Sequence, residues 1–385
     1  MGEQMSSNHS KQLRIGLIGT GYMGKAHSIA FHAAPVVFPL AGDIVLEMVA
    51  EVDAELAARK ATELGFRRST GDWRALVNDP SIDVVDICSP NFLHKEMALA
   101  AIAAGKHVYS EKPLALTAAD ARIMTEAAEQ AGVKTLVGFN YIKNPTLQLA
   151  KEIISQGEIG EVVHFRGTHN EDYLADPTVP YSWRLKREFS GSGTLGDMGS
   201  HIINVAQYLV GDITEVMGDL QIVHRHRPIA GRPGEYGEVE NDDQVHCMVR
   251  FSGGAIGTLE SSRIACGRKN GLTFEVTGTK GTLLFDQERL SELQLYTNGD
   301  ASHRQGFRTI LVGPQHPDYV NFCVAGGHGL GYNDMKIVEV RDLVDGILAD
   351  RPMWPDFRAA YEVNRVLDAV ELSHAQGRWV NINEF

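Results

Sequence analysis

Apolar positions in the first 140 residues form short runs that alternate with longer segments of helical periodicity. The strand-like runs are residues 13–18, 45–51, 84–88, 107–110 and 135–138. Strands that pair in parallel need a crossover between them, usually a helix, so this rhythm predicts a doubly wound parallel sheet over residues 13–140. The pattern T-A-A-D that opens at Thr117 predicts a capped helix start, and Gly65 predicts a helix end.

The pattern changes after residue 140, where β-rich runs follow one another with few helices between them. A helix predicted at 145–156 leads into the runs 162–168, 216–223, 245–251, 255–261, 272–277 and 282–285. Glycine-containing turns at 252–254 and 278–281 predict hairpins, so the second sheet is expected to be large and mostly antiparallel. Two helices, at 332–348 and 356–375, complete an α+β domain predicted over residues 141–385.

Composition narrows the possible partners. The chain has 385 residues, enough for two cores, and its 49 acidic and 36 basic side chains give a net charge of −13, which would repel nucleic acid and anionic membranes. No apolar run approaches the roughly 20 residues that span a bilayer. Residues 1–12 are polar, lack the features of a signal peptide and are predicted to be a loose tail, so a cytoplasmic location is expected. The four cysteines, which are widely spaced, are predicted to be buried free thiols: Cys88, Cys247, Cys266 and Cys323.

A glycine-rich turn follows the first predicted strand directly. It has the form G-x-G-x-x-G and opens a helix, and its residues are Gly19, Thr20, Gly21, Tyr22, Met23 and Gly24. In a dinucleotide-binding (Rossmann) unit the first glycine permits the turn, the second admits a pyrophosphate and the third lets helix and strand pack closely. An ordinary glycine-rich turn is the alternative, but the succession of strands and helices favours a dinucleotide cofactor.

An acidic residue is expected at the end of the second strand, where it would accept hydrogen bonds from the adenosine ribose. We assign this role to Glu51, because Asp53 already lies in the turn to the next helix. A carboxylate repels a 2′-phosphate and no arginine follows it immediately, so NAD is favoured over NADP. A solvated surface glutamate is the alternative. We also expect cofactor contacts after the strand 84–88, from Ser89, Pro90, Asn91 and His94, although a histidine at a helix start is often structural.

Three residues are candidates for proton transfer beside the cofactor. Asp197 and His201 are four positions apart, on one face of a predicted helix, and Lys112 lies after the strand 107–110. Oxidising an alcohol requires a base for the hydroxyl proton while hydride leaves the carbon, and His201 is the candidate. Asp197 would orient substrate hydroxyls or support His201, and Lys112 would stabilise the developing alkoxide. The alternative is a helix pair that serves stability alone and a solvated lysine.

Three motifs resemble one family along nearly the whole chain. They are the run 104–114 containing Glu111-Lys112-Pro113, the run 193–201 containing Gly196-Asp197 and His201, and the hairpin 274–281. Together with the glycine turn they are similar to the Gfo/Idh/MocA family of nicotinamide-dependent sugar and cyclitol oxidoreductases. The resemblance implies that Lys112, Asp197 and His201 form the catalytic trio and that a cis bond precedes Pro113. Cofactor contacts are also expected from four residues: Glu111, Lys112, Pro113 and Asn140.

This sequence departs from the family at two positions. Asn204 stands where many members carry an aspartate, and Ile142 where many carry an arginine, so any substrate contact made by those charges is in doubt. Lys143, next to Ile142, is a candidate substitute, with a solvent-exposed lysine as the alternative.

The runs 166–173 and 182–184 resemble members that oxidise pyranosides, notably levoglucosan dehydrogenases and glycoside 3-dehydrogenases. Amides, carboxylates and aromatic rings suit a polyhydroxylated ring, because they bond diols and stack on C–H faces. A polar loop with a core tryptophan is the alternative. Besides the trio, the predicted substrate-binding residues are Asn170, Asp172, Trp183, Arg184 and, on a glycine-rich loop, His328.

The sequence therefore predicts an NAD-dependent dehydrogenase that oxidises a secondary hydroxyl of a pyranose, anhydrosugar, glycoside or inositol. A glycosidase acting through transient oxidation and a non-catalytic sugar sensor of the same fold stay open as alternatives. No metal is expected, and the segment 224–227 (H-R-H-R) is predicted to be a mobile hairpin tip. Helices over one face of the second sheet would leave the other face to bury, which predicts a homodimer or homotetramer.

Overall fold

The computed structural model describes residues 11–385, and its first sheet has the predicted parallel arrangement. Within that range six strands pair in the order β3-β2-β1-β4-β5-β6. Their bounds are β1 (Gln12–Ile18), β2 (Asp43–Ala50), β3 (Arg68–Thr70), β4 (Val84–Ile87), β5 (His107–Ser110) and β6 (Thr135–Val137). The reversal of order between β1 and β4 creates the crevice in which doubly wound sheets bind ligands. Residues 1–10 of the predicted tail lie outside the described range, and Gln12 already belongs to β1.

Helices connect these strands, with the predicted caps. They are α1 (Tyr22–Val37), α2 (Ala54–Leu64), α3 (Trp73–Val77), α4 (His94–Ala103) and α5 (Ala118–Ala131). The Thr117 hydroxyl accepts a hydrogen bond from the Asp120 backbone N–H at 3.2 Å, which satisfies one of the free donors of α5. Gly65 ends α2 with φ of 80°, in the left-handed region that a glycine enters at little cost.

The second sheet is large and mostly antiparallel, as predicted. Within residues 11–385 its nine strands run in the order β16-β15-β14-β13-β7-β12-β11-β8-β17, and β7 and β12 are its parallel pair. The bounds are β7 (Val162–Asn170), β8 (Ile213–Gln221), β11 (Gln244–Phe251), β12 (Ile256–Ser262), β13 (Gly271–Gly278), β14 (Gly281–Asp286), β15 (Glu292–Thr297), β16 (Arg308–Leu311) and β17 (Val380–Asn381). A separate ribbon pairs β9 (His226–Pro228) with β10 (Tyr236–Glu238).

Helices cover one face of this sheet, and one of them returns to the first. The helices of this half are α6 (Pro145–Ser155), α7 (Arg187–Ser190), α8 (Ser200–Val210), α9 (Tyr319–Phe322), α10 (Tyr332–Leu348) and α11 (Phe357–Gln376). Helix α8 packs on β7, whereas Val340 and Leu343 of α10 share a buried core with Ile15 and Phe31 of the first sheet and its helix. The last third of the chain thus contributes buried side chains to the core of the first domain.

Two expectations are wrong. The segment 224–227 is not a mobile tip: Arg227 lies in β9, is fully buried, and donates hydrogen bonds to the carbonyl oxygens of Asp176 and Leu174 at 2.8 and 2.5 Å. Sequence cannot distinguish a buried arginine from a solvated one when its acceptors are backbone carbonyls some fifty residues away. Of the four cysteines predicted to be buried, only Cys247 is; Cys88 and Cys323 are half-buried and Cys266 is exposed. No helix in the described part of the chain is long and apolar enough to cross a membrane.

Candidate active site

The glycine turn joins β1 to α1 in the geometry that a dinucleotide requires. Gly19 has φ of 91°, and a Cβ there would lie 2.8 Å from the Cys88 carbonyl oxygen. A Cβ on Gly24 would lie 2.1 Å from the Gly19 carbonyl oxygen, so helix and turn are in direct backbone contact. A Cβ on Gly21 would meet nothing within 4 Å. The open space at Gly21, at the N-terminus of α1, is where a pyrophosphate would accept backbone N–H bonds.

Glu51 stands beside this turn, immediately after β2. Its Oε1 atom accepts hydrogen bonds from the backbone N–H and the hydroxyl of Thr20, at 2.7 and 2.5 Å. Its Oε2 accepts from the Val52 N–H at 3.1 Å. The structure therefore places the carboxylate at the carboxyl end of β2, next to the glycine turn, in the position expected for a ribose acceptor.

Two buried polar side chains at the same edge of the sheet lack partners. Neither the Oδ1 nor the Nδ2 atom of Asn140 has a hydrogen-bond partner among residues 11–385, and the same holds for the Ser89 hydroxyl oxygen. Ser89 follows β4 and Asn140 follows β6, on either side of the Glu111-Lys112 loop after β5. Since buried polar groups are normally bonded, an unpartnered amide and hydroxyl here fit a ligand such as NAD, which carries amide and hydroxyl groups.

His94 and Asn91 hold the cofactor loops in place. His94 is fully buried, and its two ring nitrogens lie 2.9 Å from the Pro113 carbonyl oxygen and 3.0 Å from that of Ser89. These contacts support the structural alternative for His94, because the ring ties together the loops after β4 and β5, and burial lowers the pKa of His94. Asn91 donates to the Ser190 carbonyl oxygen at 3.3 Å. The Lys112-Pro113 peptide is cis, as the family resemblance implied.

Lys112 and Asp197 meet directly. The Lys112 Nζ atom lies 2.8 Å from Oδ1 of Asp197 and 2.7 Å from its carbonyl oxygen. Burial acts to raise the pKa of Asp197, but the charge and hydrogen bond of Lys112, and then the Tyr173 hydroxyl, hold it below its ordinary value. The Asp197 side chain is still 44% exposed and the Lys112 side chain 15%, so the ion pair borders open space. A charged pair at this border can bind a polar substrate.

His201 lies beside this pair and is suited to act as a base. Its ring packs against Tyr141, with centroids 4.4 Å apart, and edge-on to Phe139 at 5.7 Å. Burial, followed by the positive charge of Lys112 and the nearby His169, lowers the pKa of His201 well below its ordinary value. No hydrogen bond joins the ring to another residue in the described range 11–385. The imidazole is therefore neutral at pH 7 and free to accept a proton.

A short π-helix (Leu195–Gly199), continued by α8, delivers Asp197 and His201. The sequence predicts one regular helix here, whereas the structure has a π-helical turn followed by an α-helix. Asp242 fixes its start, because the two carboxylate oxygens accept the backbone N–H groups of Gly193 and Leu195 at 2.7 and 2.8 Å. Burial raises the pKa of Asp242, and these two bonds oppose that rise. Such bonds satisfy backbone donors that would otherwise be buried and unpaired.

The structure brings further side chains to the site. The Tyr173 hydroxyl donates to Oδ2 of Asp197 at 3.0 Å. His169 bonds the Met198 carbonyl oxygen at 3.0 Å, and its ring centroid lies 5.6 Å from that of His201. The signal for His169 was present in the strand pattern, because alternate residues of β7 face α8. Tyr141 and Asp242, by contrast, have no recognisable sequence signal.

The predicted substrate-binding residues differ in where the structure places them. The structure does not bring Asn170 to this site, because it follows His169 in β7, points to the opposite face and bonds Glu260 at 2.8 Å. Asp172 pairs with Lys269 at 2.7 Å. Arg184 contributes to the lowered pKa of Asp197, which places its charge at the site, and its guanidinium covers the Trp183 ring at 4.5 Å.

His328 and the residues at the positions of family departure make no bond to the trio. His328 is exposed and bonds the Ala325 carbonyl oxygen within its own loop at 3.2 Å. Ile142 and Asn204 are buried, at 3% and 1% exposure. Lys143 donates to Asp342 at 2.7 Å and to the Trp354 carbonyl oxygen at 2.5 Å, so it is directed away from His201. The interpretation of Lys143 as a substitute for the missing arginine is therefore wrong.

Two other features lie outside this site. One is a surface cavity of about 340 Å³ between α5 and the start of α11. The basic side chains that line it form ion pairs with acidic neighbours, for example Arg358 with Glu129 at 2.9 Å. The side chains of His27, Asp86 and Cys88 bring ligand-type atoms within 4.8 Å of one another. There the His27 ring already bonds Asp86, so the cluster is an internal ion pair.

Comparison with known proteins confirms the family resemblance. The family model described as “Oxidoreductase family, NAD-binding Rossmann fold” matches residues 13–139. The model described as “GFO/IDH/MocA C-terminal domain” matches residues 147–284. Together these matches span most of the chain and include all three residues of the trio.

Individual relatives agree with this assignment. A levoglucosan dehydrogenase of Pseudarthrobacter phenanthrenivorans is 41% identical over 384 residues, 97% of this chain and 98% of that protein. A myo-inositol 2-dehydrogenase of Thermotoga maritima is 30% identical over 72% of this chain and 76% of that protein. A solved levoglucosan dehydrogenase in complex with NADH and levoglucosan is 42% identical, with a TM-score of 0.94 over 97% of this chain and 100% of that chain. The chain therefore belongs to the Gfo/Idh/MocA family of oxidoreductases, and its cofactor is NAD.

Proposed function

We propose that this chain oxidises a secondary hydroxyl of an anhydrosugar such as levoglucosan, or of a closely related pyranose, with His201 as the base. The observation that carries the proposal is the buried His201 ring, packed on Tyr141 beside the Lys112–Asp197 ion pair, at the edge of the sheet where the loops after β4, β5 and β6 meet. A neutral base and a fixed ammonium are the two groups that alcohol oxidation requires of the protein.

The roles of the three side chains follow from their environments. His201 takes the hydroxyl proton, since its lowered pKa keeps the ring unprotonated in neutral solution. Lys112 donates a hydrogen bond to the substrate oxygen as negative charge develops there, and Asp197 keeps the ammonium in place through Oδ1. Bound NAD supplies the acceptor for the hydride that leaves the carbon.

The relatives support the substrate class. A levoglucosan dehydrogenase is similar over nearly the whole chain, and two inositol dehydrogenases are similar over 72% and 71% of it. The positive charge of Arg184, which helps to lower the pKa of Asp197, suits a polyhydroxylated substrate at this site. None of these relatives is a glycosidase or a sensor, so no comparison favours the two alternatives.

The test follows NADH absorbance with purified protein, NAD and a panel of levoglucosan, glucose, simple glucosides and inositols. We expect NADH from levoglucosan or a close analogue, and its loss in His201→Asn and Lys112→Met. Cofactor binding without NADH formation from any member of the panel would refute the proposal. Free sugar released from a glucoside without net NADH would instead establish the glycosidase.

We also propose that the chain forms a homodimer or homotetramer through the uncovered face of the second sheet. Met248 and Ile256 lie on that face at 47% and 58% exposure, and Met217 pairs with Met248 in the register of β8 and β11. Large apolar side chains exposed on a flat sheet favour burial against a second copy. The test is light scattering of a double variant that carries Met248→Asp and Ile256→Asp. It should have the mass of a single protomer if this face is the interface, and the mass of the unchanged oligomer if it is not.

A further inference from the structure

A chain of buried charged side chains runs beneath the active site and ends at the residue before Lys112. Its members lie on α1, β4, α10 and the loop after β5, and we call them the buried charge network: His27, Asp86, Glu111, Lys336 and Glu339. Glu111 is 6% exposed, and the other four are fully buried, at 0% exposure. None of them belongs to the catalytic trio.

Glu111 is the centre of this network. Its Oε1 atom accepts hydrogen bonds from Lys336 Nζ at 2.6 Å and from His27 Nε2 at 2.9 Å. Its Oε2 atom accepts from the backbone N–H of Lys112 at 3.3 Å. The Glu111 carboxylate therefore points into the interior and is occupied there, so a cofactor contact of Glu111 would fall to its backbone.

The protonation of the network follows from its geometry. The His27 ring lies between two carboxylates, with Nδ1 2.9 Å from Asp86 and Nε2 2.9 Å from Glu111. A carboxylate only accepts, so both ring nitrogens carry protons and His27 is an imidazolium. Lys336 also contacts Glu339 at 2.9 Å, and the Tyr109 hydroxyl donates to Glu339 at 2.7 Å. Two cations thus face three carboxylates in the interior of the protein.

The surroundings leave Glu111 a single position. The Tyr109 ring stacks on His27 with centroids 4.4 Å apart and planes at 7°. A Cβ on Gly138 would lie 2.4 Å from Glu111 Oε1 and 2.9 Å from Lys336 Nζ. The close approach of Gly138 and the two cations thus restrict the carboxylate, and removal of one cation is expected to let it move.

We propose that Lys336 and His27 are positioning residues, which hold Glu111 from two sides and so fix the backbone from which Lys112 reaches the reacting oxygen. Lys336 comes from α10, 225 positions along the chain from Glu111, so the last third of the sequence sets the geometry of the catalytic lysine. The inference rests on the proposed function for the role of Lys112, but the position of Lys112 can be tested without it.

The experiment uses Lys336→Met in the full chain with NADH bound. We expect its crystal structure to show Lys112 Nζ displaced by about 1 Å or more from Asp197 Oδ1. A displacement of that size is expected to lower kcat by about 10- to 100-fold, with the Kd for NADH within about twofold of the unchanged protein. Glu111→Gln, which keeps the side-chain volume and leaves Lys336 paired with Glu339, is the second variant, in case Lys336→Met does not fold.

The matched control is Lys143→Met. Lys143 is also a buried lysine bonded to an acid of α10, but its partner is Asp342 and it makes no contact with Glu111. Its kcat and its Lys112 position should be unchanged. An unmoved Lys112 in Lys336→Met or Glu111→Gln overturns the inference, whatever happens to the rate. If the unchanged protein and Lys143→Met oxidise no sugar, the proposed function fails, while the displacement of Lys112 still decides the positioning.

Discussion

The hydroxyl of Tyr173 donates a hydrogen bond to Oδ2 of Asp197, the carboxylate oxygen that Lys112 leaves free. Burial and the Asp197 charge raise the pKa of Tyr173, so the hydroxyl stays protonated and remains a donor. Asp197 is thereby held from both sides, by a cation at one oxygen and a phenol at the other. Tyr173 is 40% exposed, so the same group also borders the space open to a substrate.

Tyr173→Phe should lower kcat/KM by about 10-fold. A hydrogen bond to a charged group contributes about 1.5 kcal/mol, which corresponds to one order of magnitude in rate if it acts in the transition state. The measurement is NADH formation over a range of sugar concentrations. Tyr296→Phe is the control, because its hydroxyl bonds Gln305 on the far edge of the second sheet at 3.3 Å. Equal loss in both variants would contradict a role of the Tyr173 hydroxyl at Asp197.

The pH dependence of the rate should report His201. Because burial and nearby positive charge lower the pKa of His201, it stays an unprotonated base down to a pH below its ordinary value of about 6.5. We expect kcat/KM to be flat through neutral pH and to fall only below pH 6.5. The acidic limb should disappear in His201→Asn, whose residual rate should be lower by about 10²- to 10⁴-fold. An acidic limb centred above pH 7 would contradict the neutral imidazole.

The same shift carries a stability consequence. The unfolded chain protonates its histidines near pH 6.5, whereas folded His201 resists the proton, so the unfolded state binds more protons below that pH. His201 therefore favours unfolding as the pH falls through about 6.5 and has no such effect above it. Urea unfolding at pH 7.5 and 5.5 should show a smaller decrease in the free energy of unfolding for His201→Asn than for the unchanged chain.

Much of this arrangement could be predicted because it depends on local signals. The strand and helix runs, the glycine turn and the cap at Thr117 follow from periodicity or short motifs, and the meeting of Lys112 with Asp197 follows from the family resemblance. It is harder to predict which face of the sheet a residue near a strand end lies on. His169 and Asn170 are neighbours, and moving the alternation by one residue exchanges the buried face for the outer face. The prediction of Asn170 as a sugar ligand is wrong because it assigns this residue to the face on which His169 lies.

The parts that could not be predicted are contacts between distant segments. Glu111 meets His27 across 84 positions and Lys336 across 225, and nothing in composition pairs them. The family resemblance places Glu111 among the cofactor contacts and says nothing about its side-chain partners. Only the fold shows that its carboxylate faces inward, where α10 supplies the second cation. Buried ion pairs of this kind depend on tertiary placement, which periodicity does not encode.

The preference for NAD should depend on the charge of Glu51. Its carboxylate stands beside the glycine turn, where a 2′-phosphate on the ribose would be repelled. Glu51→Gln keeps the acceptor for Thr20 and removes the charge, so we expect the Kd for NADPH to fall by about 10-fold or more while that for NADH changes by less than about threefold. Fluorescence titration with both reduced cofactors gives the two constants. Asp53→Asn, which alters the next carboxylate but leaves Glu51 in place, should not change the ratio.

Asp242→Ala should destabilise the fold and disorder the turn that carries Asp197. It removes both acceptors of the Gly193 and Leu195 N–H groups, and two buried donors without partners cost about 3 kcal/mol in the free energy of unfolding. Asp242→Asn retains one carbonyl oxygen and should lose about half as much. Urea unfolding measures both. Asp286→Ala removes a comparable cap, whose oxygen accepts from the Glu288 N–H at 3.0 Å, but at an exposed turn, so about 1 kcal/mol is expected. Equal losses for Asp242→Ala and Asp286→Ala would mean that water reaches the Gly193–Leu195 turn and replaces the carboxylate.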